Sequence, residues 1–311
     1  MSNDQPFTVA LTRYPHTEAL ISGRVRIDEC PLDFLDIEGA LIPTFRRMSR
    51  EQAYGVCELG ISTALIARDL GLPVTLLPVF VTRRFDHEAI FIHQERIKNH
   101  ADLNGSTIGL RSYTVTDAVW SRAALSEACD VDLDSIKWIV TGDEHTEGSK
   151  LPAKVDYLPG DLDQMIDEGV IDVMLNPYRG KNPNVVPLFA DFISSEREWY
   201  ANRGYVPIHH VIVIRRDVVA SCPSIGPQLF EAFSQSKLPF LQDLHARNEF
   251  SSDADNRHIY GMEYASDRFE DDPVPYGINA NRLALDDLMS FAKKQHIISD
   301  KWQVEDLFIG V

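Results

Sequence analysis

Between residues 107 and 175 the chain repeats one order, an apolar run, a helical face and a second apolar run, and this order restricts the fold more than any other feature. Thr107–Leu110 reads as a strand, Thr116–Cys129 as a helix and 136–140 as a strand. Residues 155–158, the helical stretch Leu162–Glu168 and residues 170–175 then repeat the pattern, ending at the turn Asn176-Pro177-Tyr178-Arg179. Strand, helix and strand in succession imply parallel pairing with the helix laid over the sheet. The turn-rich joint Ala101-Asp102-Leu103-Asn104-Gly105 separates this unit from what precedes it.

The flanking segments read as a second α/β unit. Residues 7–11 alternate like a strand and break at Arg13-Tyr14-Pro15-His16, which sets His16 near a strand tip. Residues 25–34 alternate again, 42–48 carry helical spacing, and 54–61 form an apolar run closed by Ser62. Ser62 has the character of an N-cap, because Ala64, Leu65, Ala67 and Leu70 make an apolar helical face that Gly71 stops. The strongest strand signal is 206–214, after an aromatic, charged helix around 196–200. The chain is expected to cross back there, with 206–214 lying beside 89–93 so that two crossings form a hinge. From Pro223 onward the pattern is helical, with polar loops at 251–255 and 270–275. The reading is an α/β, two-lobed type II periplasmic-binding-protein-like architecture, resting partly on fold-level analogy. Its discontinuous first lobe takes 1–96 and 205–311, its second 97–204, with two interlobe crossings and a central cleft.

Charge limits the partners. Among 311 residues, 47 acidic against 30 basic side chains give −17, a field that repels nucleic acid and anionic membrane. A small anion would have to be held by local arginines in a cleft where screening is weak. No apolar run approaches the roughly 18 residues of a membrane helix, and Met1-Ser2-Asn3-Asp4-Gln5-Pro6 lacks the pattern of a secretory signal, so a cytoplasmic location is expected. Cys30, Cys57, Cys129 and Cys222 show no C-x-x-C spacing and are expected to be reduced and mostly buried. Assembly into a homo-oligomer is compatible with the sequence.

The segment 78–87 sets Arg83, Arg84, Asp86 and His87 between two strand-like runs, and strand ends are where α/β proteins bind ligands. Thr114 and Thr116 open a helix whose free N–H groups would suit an anion, with Arg111 just before them. His209 comes from the second crossing, while alternation turns His210 to the opposite face. No G-x-G-x-x-G, P-loop or G-x-S-x-G is present, which leaves nucleotide use and serine hydrolysis without support.

Several stretches resemble the 4,5-dihydroxyphthalate decarboxylase family. They are Glu58-Leu59-Gly60-Ile61-Ser62, Pro78-Val79-Phe80, Arg83-x-Phe85-x-His87, Thr116-x-x-x-Trp120-x-Arg122, Trp138-Ile139-Val140-Thr141-Gly142, Pro207-Ile208-His209 and Pro275-Tyr276-Gly277-x-Asn279-x-Asn281-Arg282. The resemblance spans roughly residues 10–308. Two departures stand out: the family pattern has Tyr-Asp-Arg at 14–16 and Arg-Ala-Phe-Arg-His at 83–87, so arginines are lost at His16 and Asp86 and one is gained at Arg84.

The resemblance implies a lyase that removes CO2 from a hydroxylated aromatic carboxylate such as 4,5-dihydroxyphthalate or a relative. Direct loss of CO2 would leave an unstabilised ring carbanion, so protonation of the ring must come first. That chemistry needs a positioned acid, a base for a ring hydroxyl and clamps on spectator anions. The candidate catalytic residues are His87 as acid, Glu58 as base or orienting group, and His209. The candidate substrate-binding residues are Arg83, Arg84, Ser62, Arg111, Thr114, Thr116, His16 and Tyr178, and the expected partner is a small anionic aromatic molecule. No cofactor is expected; a divalent metal at His16, His87 and His209 is compatible, but no diagnostic spacing signals one. The alternative is a solute-binding protein for a small aromatic or heterocyclic acid, which would use the same cleft.

Overall fold

A computed structural model describes residues 6–247 and 272–311. The polar loop expected at 251–255, and the start of the one at 270–275, lie outside the described residues.

Two sheets form the frame. The first has the order β2 (Leu32–Leu35), β1 (Phe7–Ala10), β3 (Val56–Gly60), β11 (Ile208–Arg215), β4 (Val74–Arg83). Strands β1, β2 and β3 are parallel, while β11 runs antiparallel between β3 and β4. The second sheet has the order β10 (Val185–Pro187), β5 (Ile90–His93), β9 (Val173–Leu175), β6 (Thr107–Leu110), β7 (Lys137–Val140), β8 (Val155–Tyr157). Pairing is parallel from β9 through β6 and β7 to β8, as the repeated strand-helix-strand order requires.

One expectation is corrected. Residues 206–214 do not lie beside 89–93, because Ile90–His93 pairs with β9 and β10 in the second sheet. Seven of the eight residues of β11 are buried, and such a strand needs neighbours on both edges and cover on both faces. The crossings instead meet where the end of β4 pairs with the start of β11, and the Arg84 N–H donates to the Pro207 carbonyl at 3.1 Å.

Around the first sheet pack α1 (Glu18–Ile21), α2 (Leu41–Glu51), α3 (Ile61–Asp69), α7 (Arg216–Ser221) and α8 (Ile225–Arg247); around the second, α4 (Thr116–Cys129), α5 (Leu162–Glu168) and α6 (Phe192–Arg203). One apolar core joins the lobes, running from Phe45 and Met48 to Trp120, Trp138, Trp199 and Phe291. Trp120 fastens the two together by donating its indole N–H to the Ile208 carbonyl at 2.8 Å. Cys57 and Cys129 are free and buried, as expected, but Cys30 and Cys222 form a disulfide, which corrects the expectation that all four are reduced. Among the described residues no helix is long and apolar enough to cross a membrane.

Candidate active site

The middle of β3 and the start of β11 bring a carboxylate and an imidazole together. Glu58 is fully buried and accepts three hydrogen bonds, from Thr12 N–H at 3.0 Å, Tyr14 O–H at 2.6 Å and His210 Nδ1 at 2.7 Å. Burial alone would raise its pKa, but the hydrogen bond and charge of His210, with the donors Tyr14 and Thr12, outweigh that and hold the carboxyl below its ordinary value. Glu58 is therefore a carboxylate that fixes the His210 ring, with Nε2 on the side away from it.

This corrects the expectation that alternation turns His210 away. The β11–β4 register shifts at His210, first against Ile208 and again against Val211, and an irregularity of this kind breaks the two-residue period of side-chain direction. Both neighbouring histidines thereby reach the region between the lobes. The Phe45 ring, from α2, stands edge-on to His210 at 5.1 Å and to His145 at 5.8 Å.

His145 belongs to the second lobe and touches Thr63 Oγ1 through Nδ1 and Arg111 Nη2 through Nε2, each at 3.2 Å. A guanidinium only donates, so Nε2 accepts and Nδ1 carries the proton. Burial, then Arg111 and Arg46, push the His145 pKa down to about 3, which agrees with this neutral tautomer. Burial also lowers the pKa of Arg111, and Arg46 lowers it further against the pull of Asp117 and Glu144. Arg111 Nη1 and Arg46 Nε are buried nitrogens without a hydrogen-bond partner among the described residues. Two guanidiniums from opposite lobes, each with an N–H to spare, make a receptor for an anion.

Asp117, in the first turn of α4, completes the set. It accepts from Arg84 Nη2 at 2.7 Å and lies 3.1 Å from His209 Nδ1, while His209 Nε2 lies 3.1 Å from Asp86 Oδ2. His209 is fully buried, yet the Asp117 side chain is 58% accessible, so its open edge faces the space between the lobes. Burial would raise the Asp117 pKa; Arg84 first, then the two histidines, pull it far below the ordinary carboxylate range.

The remaining candidates lie elsewhere. His87 does not face the cleft: it packs edge-on against Phe189 and Trp199 beside Phe85, and burial pushes its pKa down to about 4. His16 stacks on Tyr14 at 5.3 Å and approaches Phe240, inside the first lobe. Arg83 is no open clamp, since Nη2 is committed to the Pro275 carbonyl at 2.8 Å and Asn281 Oδ1 at 2.6 Å. Ser62 is not the N-cap of α3, a position that Gly60 holds. Its hydroxyl donates to the Thr114 carbonyl at 2.8 Å and meets Thr116 Oγ1 at 3.0 Å, so this trio fastens one lobe to the other. The anion site expected at the start of α4 is filled from within, because Glu144 accepts from the N–H groups of Tyr113 and Thr114 at 2.6 and 3.0 Å and from the Thr114 hydroxyl. Tyr178 binds Asp167 and Asn182 on the far side of the second lobe. His16, His87 and His209 do not converge as a metal triad.

Sequence reasoning missed Arg46, His145, Phe45 and Asp117. Arg46 sits mid-helix and His145 in an irregular loop, and no local pattern marks either. Asp117 carried a signal, an acidic residue in the first turn of a helix already suspected of facing the cleft.

The frame and site define a two-lobed protein of the periplasmic-binding-protein fold with polar groups from both lobes at their junction. Solved structures agree. The periplasmic aliphatic sulphonate binding protein SsuA from Escherichia coli covers 98% of this chain and matches over 98% of its own length, with TM-score 0.50 and 11% identity. A ligand-binding component of an ABC-type import system from Staphylococcus aureus covers 99%, over 97% of its own length, with TM-score 0.52 and 9% identity. No family model matches the chain. In sequence, the chain is similar to 4,5-dihydroxyphthalate decarboxylase from Comamonas testosteroni, 28% identical over 89% of this chain and 93% of that protein. The protein of the same name from Pseudomonas putida is 29% identical over 65% of this chain and 84% of its own length. The likeness to the 4,5-dihydroxyphthalate decarboxylase family first read from scattered motifs thus extends along most of the chain.

Proposed function

We propose that the protein is a decarboxylase of a hydroxylated aromatic carboxylate, 4,5-dihydroxyphthalate or a relative, and that the reaction takes place between the lobes at His210. The observation that carries this reading is the 2.7 Å bond from His210 Nδ1 to a buried, ionised Glu58, linked through the Phe45 ring and His145 to the guanidinium of Arg111. Arg46 and Arg111 hold a spectator carboxylate. Asp117 is an anion with an open edge, so it repels carboxylates toward the arginine end and accepts a hydrogen bond from a ring hydroxyl instead.

The imidazolium of His210 delivers its Nε2 proton to the ring carbon that bears the departing carboxylate. A hydroxyl ortho or para to that carbon gives its proton to solvent, and its electron pair moves into the ring as a ketone forms. The carbon–carboxylate bond then breaks; its electrons restore the aromatic ring, CO2 leaves, and the phenolate regains a proton. One proton is consumed for each CO2 formed, and solvent restores it to His210. Glu58 keeps the ring oriented throughout and does not itself take the proton, since three donors already occupy it.

The test is CO2 release from a panel of hydroxyphthalates and hydroxybenzoates. His210→Gln is expected to lower turnover by roughly 10²–10⁴ while leaving ligand-induced thermal stabilisation in place; unchanged turnover sinks the assignment. The binding-protein fold favours a second reading, capture of an aromatic acid, which saturable binding with no CO2 from any substrate would support. A cytoplasmic location belongs to the same proposal.

A further inference from the structure

Beside the proposed catalytic pair lies a second group of side chains, of which this chemistry uses only the open edge of Asp117. Among the described residues, Asp86, Asp117 and His209 each offer a ligating atom within 4.8 Å of the others. His209 is fully buried and Asp86 is 6% exposed. His209 Nδ1 is hydrogen-bonded to Asp117 Oδ1 at 3.1 Å, which uses that ring nitrogen as donor and turns Nε2 the other way. Nε2 stands 3.1 Å from Asp86 Oδ2, yet the two are misaligned for a hydrogen bond, and neither has a hydrogen-bond partner among the described residues. Two buried ligand atoms that face each other at that spacing as an ion pair, with no hydrogen bond to any described residue, point to a common third body. Two ligands at right angles on a divalent cation with bonds of about 2.1 Å stand about 3 Å apart. A histidine that ligates a metal through one nitrogen while giving the other N–H to a carboxylate is the usual supporting arrangement.

We infer that Asp86 Oδ2 and His209 Nε2 bind a divalent transition cation, with Asp117 positioning the imidazole. Charge supports this. Two carboxylates face one guanidinium, Arg84, which lies 2.7 Å from Asp117 and 3.6 Å from Asp86, and one negative charge is left over beside a buried ring. Imidazole with carboxylate suits manganese, cobalt or zinc better than calcium.

The full chain, freed of metal by a chelator, would be titrated with Mn2+, followed by the resonance of the free ion, and with Co2+, followed by visible absorption. One ion per chain is expected. Asp117→Asn should weaken binding about 10–100-fold, as loss of a supporting carboxylate does, and Asp86→Asn should remove saturable binding. Should a variant fail to fold, the nitrogen shifts of His209 in the wild-type chain decide the matter, since coordination must move or broaden the Nε2 resonance while Nδ1 keeps its bond to Asp117. Folded wild-type protein that takes up neither ion, or affinity unchanged in both variants, overturns the site. Because uptake is read without turnover, its failure leaves the decarboxylase reading intact, and failure of that reading leaves this one intact.

Discussion

The histidines divide into two kinds by what surrounds them. His209 and His210 each face a carboxylate, whereas His87 is enclosed by aromatic rings, and its buried Nδ1 has no hydrogen-bond partner. The folded-state pKa of His87, about 4, lies below the ordinary 6.5, so the unfolded chain binds the proton more readily between those values. Stability is then fully present above pH 6.5 and falls as pH drops toward 4, by about 3 kcal/mol from this residue alone. His16, pushed down to about 3 by burial and then Lys237, acts in the same direction, as does His145. His87→Phe is expected to keep the ring contacts, retain turnover and shrink the fall in melting temperature between pH 7 and pH 5. An undiminished fall would show that the charge on His87 does not matter to folding. The swap of charge at 84 and 86 is also a local matter, because Arg84 and Asp86 lie 3.6 Å apart and answer each other within the crossing.

At the scale of elements, what the sequence revealed depended on whether the information was local. The helices Thr116–Cys129 and Leu162–Glu168 were legible to the residue, since an apolar face and its punctuation lie within one stretch of chain. The neighbours of β11 were not, because pairing is decided by which edges remain to be buried. Nor was the direction of His210, which depends on a register shift against β4. Most of the site comes from the meeting of remote pieces, α2, the loop at 145 and the start of α4, and no spacing encodes such a meeting. Close packing of elements supplies its own test at Gly109 in β6. A Cβ there would stand 2.5 Å from Ile171 Cδ1 and 3.0 Å from Leu162 Cδ2, so Gly109→Ala forces the α5 layer outward. A loss of about 1–3 kcal/mol in denaturant unfolding is expected, and a variant as stable as the parent would show that this layer yields freely.

For the molecule as a whole, the net charge of −17 and the arginine pair act at different ranges. The overall field repels an anionic substrate at distances beyond the cleft, while Arg46 and Arg111 attract it only once it has entered. Added salt screens the long-range term first, the Debye length falling from about 30 Å at 0.01 M to about 10 Å at 0.1 M. The association rate of a dicarboxylate should therefore rise over that interval, the reverse of the usual steering effect. A rate that falls with salt in stopped-flow measurements would mean that the mouth of the cleft is positive despite the balance of the chain.

The indole of Trp120 has a practical value that its packing does not suggest. It reaches from a helix of one lobe to the Ile208 carbonyl of the other. Any rotation that parts the lobes must break that bond and admit water to the ring, so the part of the chain's tryptophan emission that is lost on replacing Trp120 with Phe becomes a built-in gauge of how far the molecule is open, readable without a label.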